Sequence, residues 1–166
     1  MMKEQKIKEL AQVYSGTRYQ RYQTKTGEYE YKIISYNKND DYEINLNNTE
    51  TITTEKPLNN NLLLKKGDII MKLTPNYLAK VIDSNQKNLI APNNYAIIKT
   101  NDKINPYLLE FYLNSEPIKR QIQRVGEESL IKIIKINDIK EFNIIRKDPK
   151  LEELEANMII SFKKRK

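Results

Sequence analysis

Residues 64–71 read LKKGDIIM, a stretch in which a charged turn separates two apolar runs. Residues 62–64 and 69–71 predict two short strands, and Gly67 can supply the positive φ that a tight turn between them needs. Further strand candidates, bounded by polar turns, lie on both sides of this stretch at residues 29–33, 42–46, 79–82, 88–90 and 95–99. The centre of the chain is therefore predicted to be rich in strands.

The two ends of the chain have other patterns. Residues 3–11 predict a short helix, and the polar residues 47–61, rich in Thr and Asn, predict a long connection that can carry a short strand. From Pro106 onwards, apolar residues at helical spacing predict two helices, the second beginning at Pro117, and then two strands at residues 130–136 and 142–145. Strands followed by helices and again by strands predict a single α+β domain with mixed strands and a few helices, rather than a regular βαβ repeat.

The last part of the chain predicts one more helix. Asp148 can cap this helix and Pro149 suits its first turn. Four apolar residues then recur at intervals of three and four, as in the narrow seam of a helix that packs on another helix: Leu151, Leu154, Met158 and Phe162. The helix packs either on its own domain or on a partner helix, and the sequence leaves both possibilities open.

Composition narrows the chemistry. The chain has no His and no Cys, which excludes Ser–His and Cys–His catalysis and any metal site with Cys ligands. With 29 Lys and Arg against 22 Asp and Glu, the net charge of +7 suits a polyanion such as nucleic acid, although it also suits a charge that serves solubility alone. The N-terminus does not have the pattern of a signal peptide, and no apolar run reaches the roughly 20 residues of a membrane helix. We therefore expect a cytoplasmic module that binds no membrane, cofactor or metal and has no catalytic apparatus.

Five segments, in this order, carry a family resemblance. Together they resemble a target-recognition domain of the specificity (S) subunit of type I restriction–modification systems. The segments are KELAQV at 8–13 with Ser15 and Gly16, LKKGDII at 64–70, LIAPNNYAII at 89–98, NPYLLEFYLNS at 105–115 and INDIKEFNI at 136–144. Each segment alone is a weak signal, and their order and spacing make the resemblance specific.

The resemblance implies a fold, a role and a set of partners. It implies a target-recognition domain over residues 1–147 and, over residues 148–166, the start of a spacer or dimerisation helix. Such a chain reads double-stranded DNA for a partner adenine methyltransferase and, in full systems, for a restriction nuclease, and does no chemistry itself. The segment RKDPKLEEL at 146–154 lacks the Glu–Gln pair that the family usually has at its spacer helix. A complete subunit has two recognition domains and two long helices, so this chain corresponds to half of a split system, to a remnant, or to a domain of a related restriction enzyme.

The DNA contacts are predicted from side-chain chemistry, because recognition loops vary within the family. Arg pairs with guanine and Gln with adenine, hydroxyls and Lys hold phosphates, and Asn reaches base edges. The candidates are Thr17, Arg18, Tyr19, Gln20 and Arg21 in a predicted exposed loop, Lys72, Thr74, Asn76, Tyr77 and Lys80 near a strand end, Asn93 and Asn94 in a turn, and Lys119, Arg120 and Arg124 on a helix. For each group the alternative is an ordinary solvated loop, turn or strand face.

Two other functions remain as alternatives. The first is a protein-interaction or decoy half-subunit without its own DNA role, which forms a homodimer through the apolar seam of the last helix. The second is a metal-dependent nuclease built on Asp and Glu, but no Asp and Glu-x-Lys cluster has the spacing that this chemistry needs.

Overall fold

The computed structural model describes residues 2–37, 40–125, 130 and 132–165, and the side chains of 36, 37 and 40–49 are outside the description. In these residues ten strands and four α-helices form. The strands are β1 (Lys3–Lys6), β2 (Ala11–Ser15), β3 (Gln23–Thr24), β4 (Tyr29–Asn37), β5 (Asp40–Thr54), β6 (Ile69–Lys72), β7 (Ala79–Val81), β8 (Leu89–Ile90), β9 (Tyr95–Thr100) and β10 (Asn143–Arg146). The helices are α1 (Pro106–Leu113), α2 (Glu116–Val125), α3 (Ile136–Glu141) and α4 (Pro149–Lys164). The predicted α+β class is confirmed.

Three sheets organise these elements. The central sheet is antiparallel with strand order β2-β9-β6-β7, and a second sheet has the order β3-β5-β4-β8. In the second sheet β4 and β8 run parallel, whereas β5 is antiparallel to both of its neighbours. The third sheet joins β1 near the N-terminus to β10 near the C-terminus.

The central sheet is buried on both faces, which explains the unbroken apolar run of β6. Successive strand residues point to opposite faces. Ile69 and Met71 accordingly pack with residues of α1, α2 and α3, and Ile70 packs with Ile34 and Leu89 on the side of the second sheet. The three apolar residues of β6 each have 0% exposure. A strand with only one buried face would alternate apolar and polar residues instead.

Two helices begin with a side-chain cap followed by a proline, and the sequence predicted the cap at Asp148. The side chain of Asn105 accepts a hydrogen bond from the Tyr107 N–H at 2.9 Å, with Pro106 in the first turn of α1. Asp148 accepts a hydrogen bond from the Lys150 N–H at 2.9 Å in the same way, and α4 begins at Pro149. Both caps satisfy backbone donors that the first turn of a helix leaves without partners.

Four local predictions differ from the structure, mainly because strands pair with partners that lie far away in the chain. The predicted helix at residues 3–11 is wrong, because residues 3–6 pair with β10 and only a short 3-10 helix follows. The connection predicted at 47–61 occupies only the end of that range, because its first part belongs to β5, which continues to Thr54 and is rich in β-branched residues there. Residues 62–71 do not form a hairpin, since Leu64 bridges Leu89 while β6 pairs with β7 and β9. The described part of 130–136 forms no strand, and α3 begins at Ile136.

Helix α4 is attached to the domain through both apolar and polar groups, with Ala156 buried at 5% exposure and Ile159 packed against the main core. The carboxylate of Glu152 accepts one bifurcated hydrogen bond from the Nε–H of Arg146, with both oxygens at 3.0 Å, one from its Nη2 at 2.7 Å and one from the hydroxyl of Tyr112 at 2.8 Å. Farther along α4, Lys163 contacts a carboxylate oxygen of Glu110 at 2.6 Å and lies 5.1 Å from the ring centre of Tyr107. These contacts fix α4 antiparallel to α1, with Glu152 buried at 6% exposure. In the described chain, no helix is both long and apolar enough to span a membrane.

We expect Glu152→Gln to lower the free energy of unfolding by roughly 3–5 kcal/mol, because it leaves the guanidinium of Arg146 buried without its counter-charge. The melting temperature should fall by about 10 °C in a calorimetric scan. Burial raises the pKa of Glu152, but the hydrogen bonds from Arg146 and Tyr112 outweigh it and hold this pKa below its usual value of 4.5. Glu152 therefore stabilises the fold above pH 4.5, and the difference between parent and variant should shrink as the pH falls below that value.

The matched control is Glu153→Gln, which removes the same charge from the neighbouring exposed residue. Equal losses for the two variants would mean that the buried pair adds nothing specific.

Candidate nucleic-acid interface

Three loops meet at one end of the central sheet. Strand pairing places Ser15 opposite Ala96, Lys72 opposite Tyr95, and Met71 opposite Ala79. The chain therefore leaves β2 and β6, and enters β7 and β9, at the same end of the sheet. We call the loops at residues 16–21, 73–78 and 92–94 the loop end.

Backbone hydrogen bonds join the three loops into one surface. The N–H of Thr17 donates to the carbonyl oxygen of Ala91 at 2.8 Å, and the N–H of Leu73 donates to that of Asn94 at 3.0 Å. The loop at 92–94 therefore lies between the other two. The sequence-predicted candidates at 17–21, 72–77 and 93–94 are brought together, although they lie far apart in the chain.

Gly16 allows this close approach. A Cβ at this position would lie 2.0 Å from the carbonyl oxygen of Pro92, and the N–H of Gly16 donates to the Tyr95 carbonyl oxygen at 2.9 Å. Because backbone atoms occupy the space where a side chain would start, only glycine fits here without displacing the loop at 92–94.

The first loop divides into buried and exposed residues. Thr17 is only 4% exposed, so the prediction that it lies on an exposed loop is wrong, and it holds the loop against residues 91 and 92. Arg18, Gln20 and Arg21 are exposed around a 3-10 helix, and they offer guanidinium and carboxamide groups to the solvent. Tyr19 is half-buried against the second sheet, where its hydroxyl donates to Glu50 at 3.3 Å, and burial together with this carboxylate raises its pKa.

The second loop contains two residues with left-handed backbone. The φ angles are 71° for Asn76 and 46° for Tyr77, and the Tyr77 N–H donates to the Thr74 carbonyl oxygen at 2.9 Å to close the turn. The hydroxyl of Tyr77 donates to the carbonyl oxygen of Lys132 at 2.5 Å, and burial raises its pKa. Tyr77 is thus held at both its backbone and its side chain.

The remaining strand and turn candidates differ in exposure. Lys72 and Lys80 are half-buried, on β6 and β7 respectively, and Thr74 is half-buried in the loop. Asn93 and Asn94 are exposed in the turn that Tyr95 closes by donating its N–H to the Pro92 carbonyl oxygen at 3.1 Å. The exposed amides therefore stand at the middle of the loop end.

Of the three positively charged DNA-contact candidates on α2, one lies beside the loop end. Lys119 lines a pocket of about 550 Å³ between the 73–78 loop and α2, whereas the exposed residues Arg120 and Arg124 do not line it. The other residues that line the pocket are Asn76, Tyr77, Leu78, Asn114, Ile122 and Gln123. Gln123 and the pocket itself were not predicted, because their position depends on how α2 packs. In the described chain no three Asp or Glu side chains are arranged so that they could hold a metal ion.

Glu110 of α1 and Asn114, which follows the last turn of α1, brace the strand after the second loop. The carboxamide of Asn114 accepts from the Ala79 N–H and donates to the Ala79 carbonyl oxygen, both at 2.9 Å. Glu110 accepts from the Val81 N–H at 2.6 Å and from Lys163 at 2.8 Å. The outer edge of β7 is therefore paired by side chains where another strand would otherwise be needed. This bracing fixes the position at which the 73–78 loop joins the sheet.

The paired strands β4 and β5 extend toward the same end, and both are longer than the sequence predicted. β4 runs parallel to β8, and β8 leads into Pro92 at the loop end. The pairing of β4 with β5 continues past this point to Asn37 and Asp40. β5 has 15 residues, but a register shift separates its pairing with Ile33 from its pairing with Ser35, so it is not one continuous extended strand opposite β4. The alternation at 42–46 predicted a strand here but not its length.

The apolar seam of α4 faces away from the domain. Leu151, Leu154, Met158 and Phe162 are 46%, 62%, 63% and 67% exposed, whereas Glu152 and Ala156 on another side of the helix are buried. Side chains of this size along one helix are unusual on a surface that only water contacts.

Comparison with known proteins identifies the fold. No protein-family model matches the sequence, and no curated protein matches it. Among solved structures, a chain of a type I restriction–modification system matches with a TM-score of 0.65 and 13% identity over 99% of this chain and 38% of that one.

Two specificity subunits match in the same way. For the type I S subunit from M. genitalium the TM-score is 0.60 and the identity 17%, over 99% of this chain and 40% of that one. For the HsdS subunit from Thermoanaerobacter tengcongensis the values are 0.58 and 16%, over 99% and 37%. This chain thus spans about two fifths of the length of the structures it matches, and its fold is the recognition-domain fold of type I restriction–modification specificity subunits.

Proposed function

We propose that this chain recognises a sequence in double-stranded DNA as part of the specificity subunit of a type I restriction–modification system. The observation that carries the proposal is the loop end, where three loops present exposed Arg, Gln and Asn side chains on one surface of a fold that specificity subunits share. The net charge of +7 favours a polyanionic partner. In this proposal a partner adenine methyltransferase and a restriction nuclease do the chemistry in the cytoplasm, and this chain is not an enzyme.

The loop end supplies two kinds of DNA contact in this proposal. The exposed guanidinium groups of Arg18 and Arg21 pair with guanine, because their two donors match the two acceptors that guanine presents in the major groove. The exposed carboxamide of Gln20 pairs with adenine, which presents one donor and one acceptor there. The cations of α2 contact phosphates, which hold the duplex in place without reading it. Asn93 and Asn94 lie between these groups and reach further base edges.

Arg18→Ala or Arg21→Ala should change the preferred DNA sequence. Loss of a bidentate contact removes roughly 1–3 kcal/mol of discrimination at one base pair. Selection from a pool of random duplexes, followed by sequencing, measures this directly. Lys150→Ala is the control, since it removes one exposed positive charge from α4, away from the loop end. Unchanged preferences in both arginine variants would mean that this loop does not read bases.

Lys119→Ala, Arg120→Ala and Arg124→Ala should each weaken binding to all duplexes alike. Each lost phosphate contact should lower the slope of log K against log salt concentration by about one unit. Binding isotherms at several salt concentrations, for a preferred and a scrambled duplex, test this. A variant that changes the ratio of the two affinities instead would be a base-reading residue.

We propose further that residues 1–147 form the reading unit and residues 148–166 an assembly helix. The exposed seam of α4 supports this, because its four apolar side chains cover about 17 Å of the helix at 1.5 Å per residue and are not used by the domain. Two copies of the chain that pair through the seam would present two loop ends, and hence read two copies of a half-site.

Leu154→Glu should abolish this self-association, because it places a charge in the middle of the seam. Sedimentation equilibrium should give a dimer for the parent and a monomer for the variant, with an unchanged circular dichroism spectrum. Asn157→Glu adds the same charge to an exposed position of α4 outside the seam, and it should leave the dimer intact. Identical masses for all three proteins would contradict a role of the seam in self-association.

The exposed seam also favours a second function, a decoy half-subunit that pairs with a specificity subunit without reading DNA. The two functions differ in one measurement. A decoy dimerises or captures a partner helix but has equal, weak affinity for all duplexes, whereas a recognition module prefers one sequence.

A further inference from the structure

The pocket between the 73–78 loop and α2 has the size and lining of a small-ligand site. Its volume of about 550 Å³ lies within the roughly 300–1,000 Å³ of such sites. Leu78 and Ile122 supply apolar surface, while Asn76, Lys119 and Gln123 supply polar groups. Asn114 also lines the pocket, but its carboxamide is already bonded to Ala79 and serves the sheet.

Tyr77 is the unusual residue of this pocket. A bulky aromatic residue rarely adopts a φ of 46°, because its Cβ is then crowded by the backbone. The structure holds Tyr77 there through the hydrogen bonds to Thr74 and Lys132. Strained backbone of this kind is concentrated at ligand sites, where the surrounding structure forces it. A fixed aromatic side chain at the pocket wall is a suitable platform for a flat ligand.

The polar side chains of the pocket, Asn76, Gln123 and Lys119, match the hydrogen-bonding groups and the charge of a nucleotide. The amide oxygen of Asn76 already accepts from the Leu78 N–H at 3.1 Å, so its NH₂ group can donate to a ligand. The exposed carboxamide of Gln123 can both donate and accept. Lys119 is exposed, and its contact with Glu116 is long, at 3.6 Å, which leaves its ammonium group able to bind an anion. An aromatic platform, two amides and a cation suit the face, the edge and the phosphate of a nucleotide.

We propose that this pocket binds one nucleobase together with its 5′-phosphate. The base stacks on Tyr77, its edge is hydrogen-bonded by Asn76 and Gln123, and Lys119 contacts the phosphate. The ligand is either a free nucleotide or an unpaired base of DNA held at the loop end. The second source rests on the proposed function, whereas the first does not.

The first experiment titrates the protein with dAMP, dGMP, dCMP and dTMP and follows backbone amide and methyl shifts by NMR. At least one nucleotide should give saturable shifts confined to residues 76–78 and 119–123, and deoxyribose 5-phosphate should not. Equal shifts with deoxyribose 5-phosphate would mean that only an anion is bound and would overturn the proposal. The absence of saturable shifts with all four nucleotides would overturn it as well.

Substitutions separate stacking from folding. Tyr77→Leu should weaken nucleotide binding about tenfold, since base–aromatic stacking is lost. Tyr77→Phe keeps the ring but loses the hydrogen bond to Lys132, so it should bind nearly as the parent does. Gln123→Ala should weaken binding, whereas Asn157→Ala, which removes an exposed amide of α4 outside the pocket, should not. Equal binding by the parent, Tyr77→Leu and Gln123→Ala would overturn the assignment of the pocket.

The second experiment distinguishes the two sources of the base. A single mismatch is moved along the preferred duplex, because a mismatched base is easier to unstack. Tighter binding at one position, lost in Tyr77→Leu, identifies an unpaired DNA base as the ligand, while nucleotide shifts without this gain identify a free nucleotide. If duplexes do not bind but the nucleotide shifts remain, the proposed function fails and the pocket assignment stands.

Discussion

The burial of both faces of the central sheet is the constraint on which the rest of the structure depends. Ile69 and Met71 are covered by helices and Ile70 by the side of the second sheet, so this sheet offers no face to a ligand. Polar side chains that bind something can project only where its strands end. Such side chains lie at exposed positions of the loops at 16–21, 73–78 and 92–94, for example Arg18 and Asn93. Substitutions at these exposed positions leave the core untouched, unlike substitutions at Gly16 or at the buried Leu73.

Local chemistry predicted some elements well and others not at all. The helices at Pro106 and Pro149 were predictable, because Asn105 and Asp148 cap them and proline suits a first turn. The positive φ angle of Gly67, which is 94°, was also predictable from the position of this glycine in a turn. The pairing of Leu64 with Leu89 was not, since strand partners depend on the whole fold rather than on neighbouring residues.

The candidate interface was predictable to a similar extent. Exposed Arg18, Gln20 and Arg21 follow from a polar, aromatic stretch that lacks apolar residues. The burial of Thr17 does not follow from it, because it results from contact with a distant turn. The pocket beside Tyr77 arises where α2 packs next to the second loop, and no spacing in the sequence encodes that contact.

Asn114 and Glu110 have a consequence beyond fold stability. By filling the hydrogen-bonding edge of β7 with side chains, they leave that edge without a template onto which a strand from another molecule can add. An open edge would make each encounter between two copies of the molecule an opportunity for fibrous assembly. A carboxylate of α1 and the carboxamide that follows its last turn thus protect this edge against aggregation.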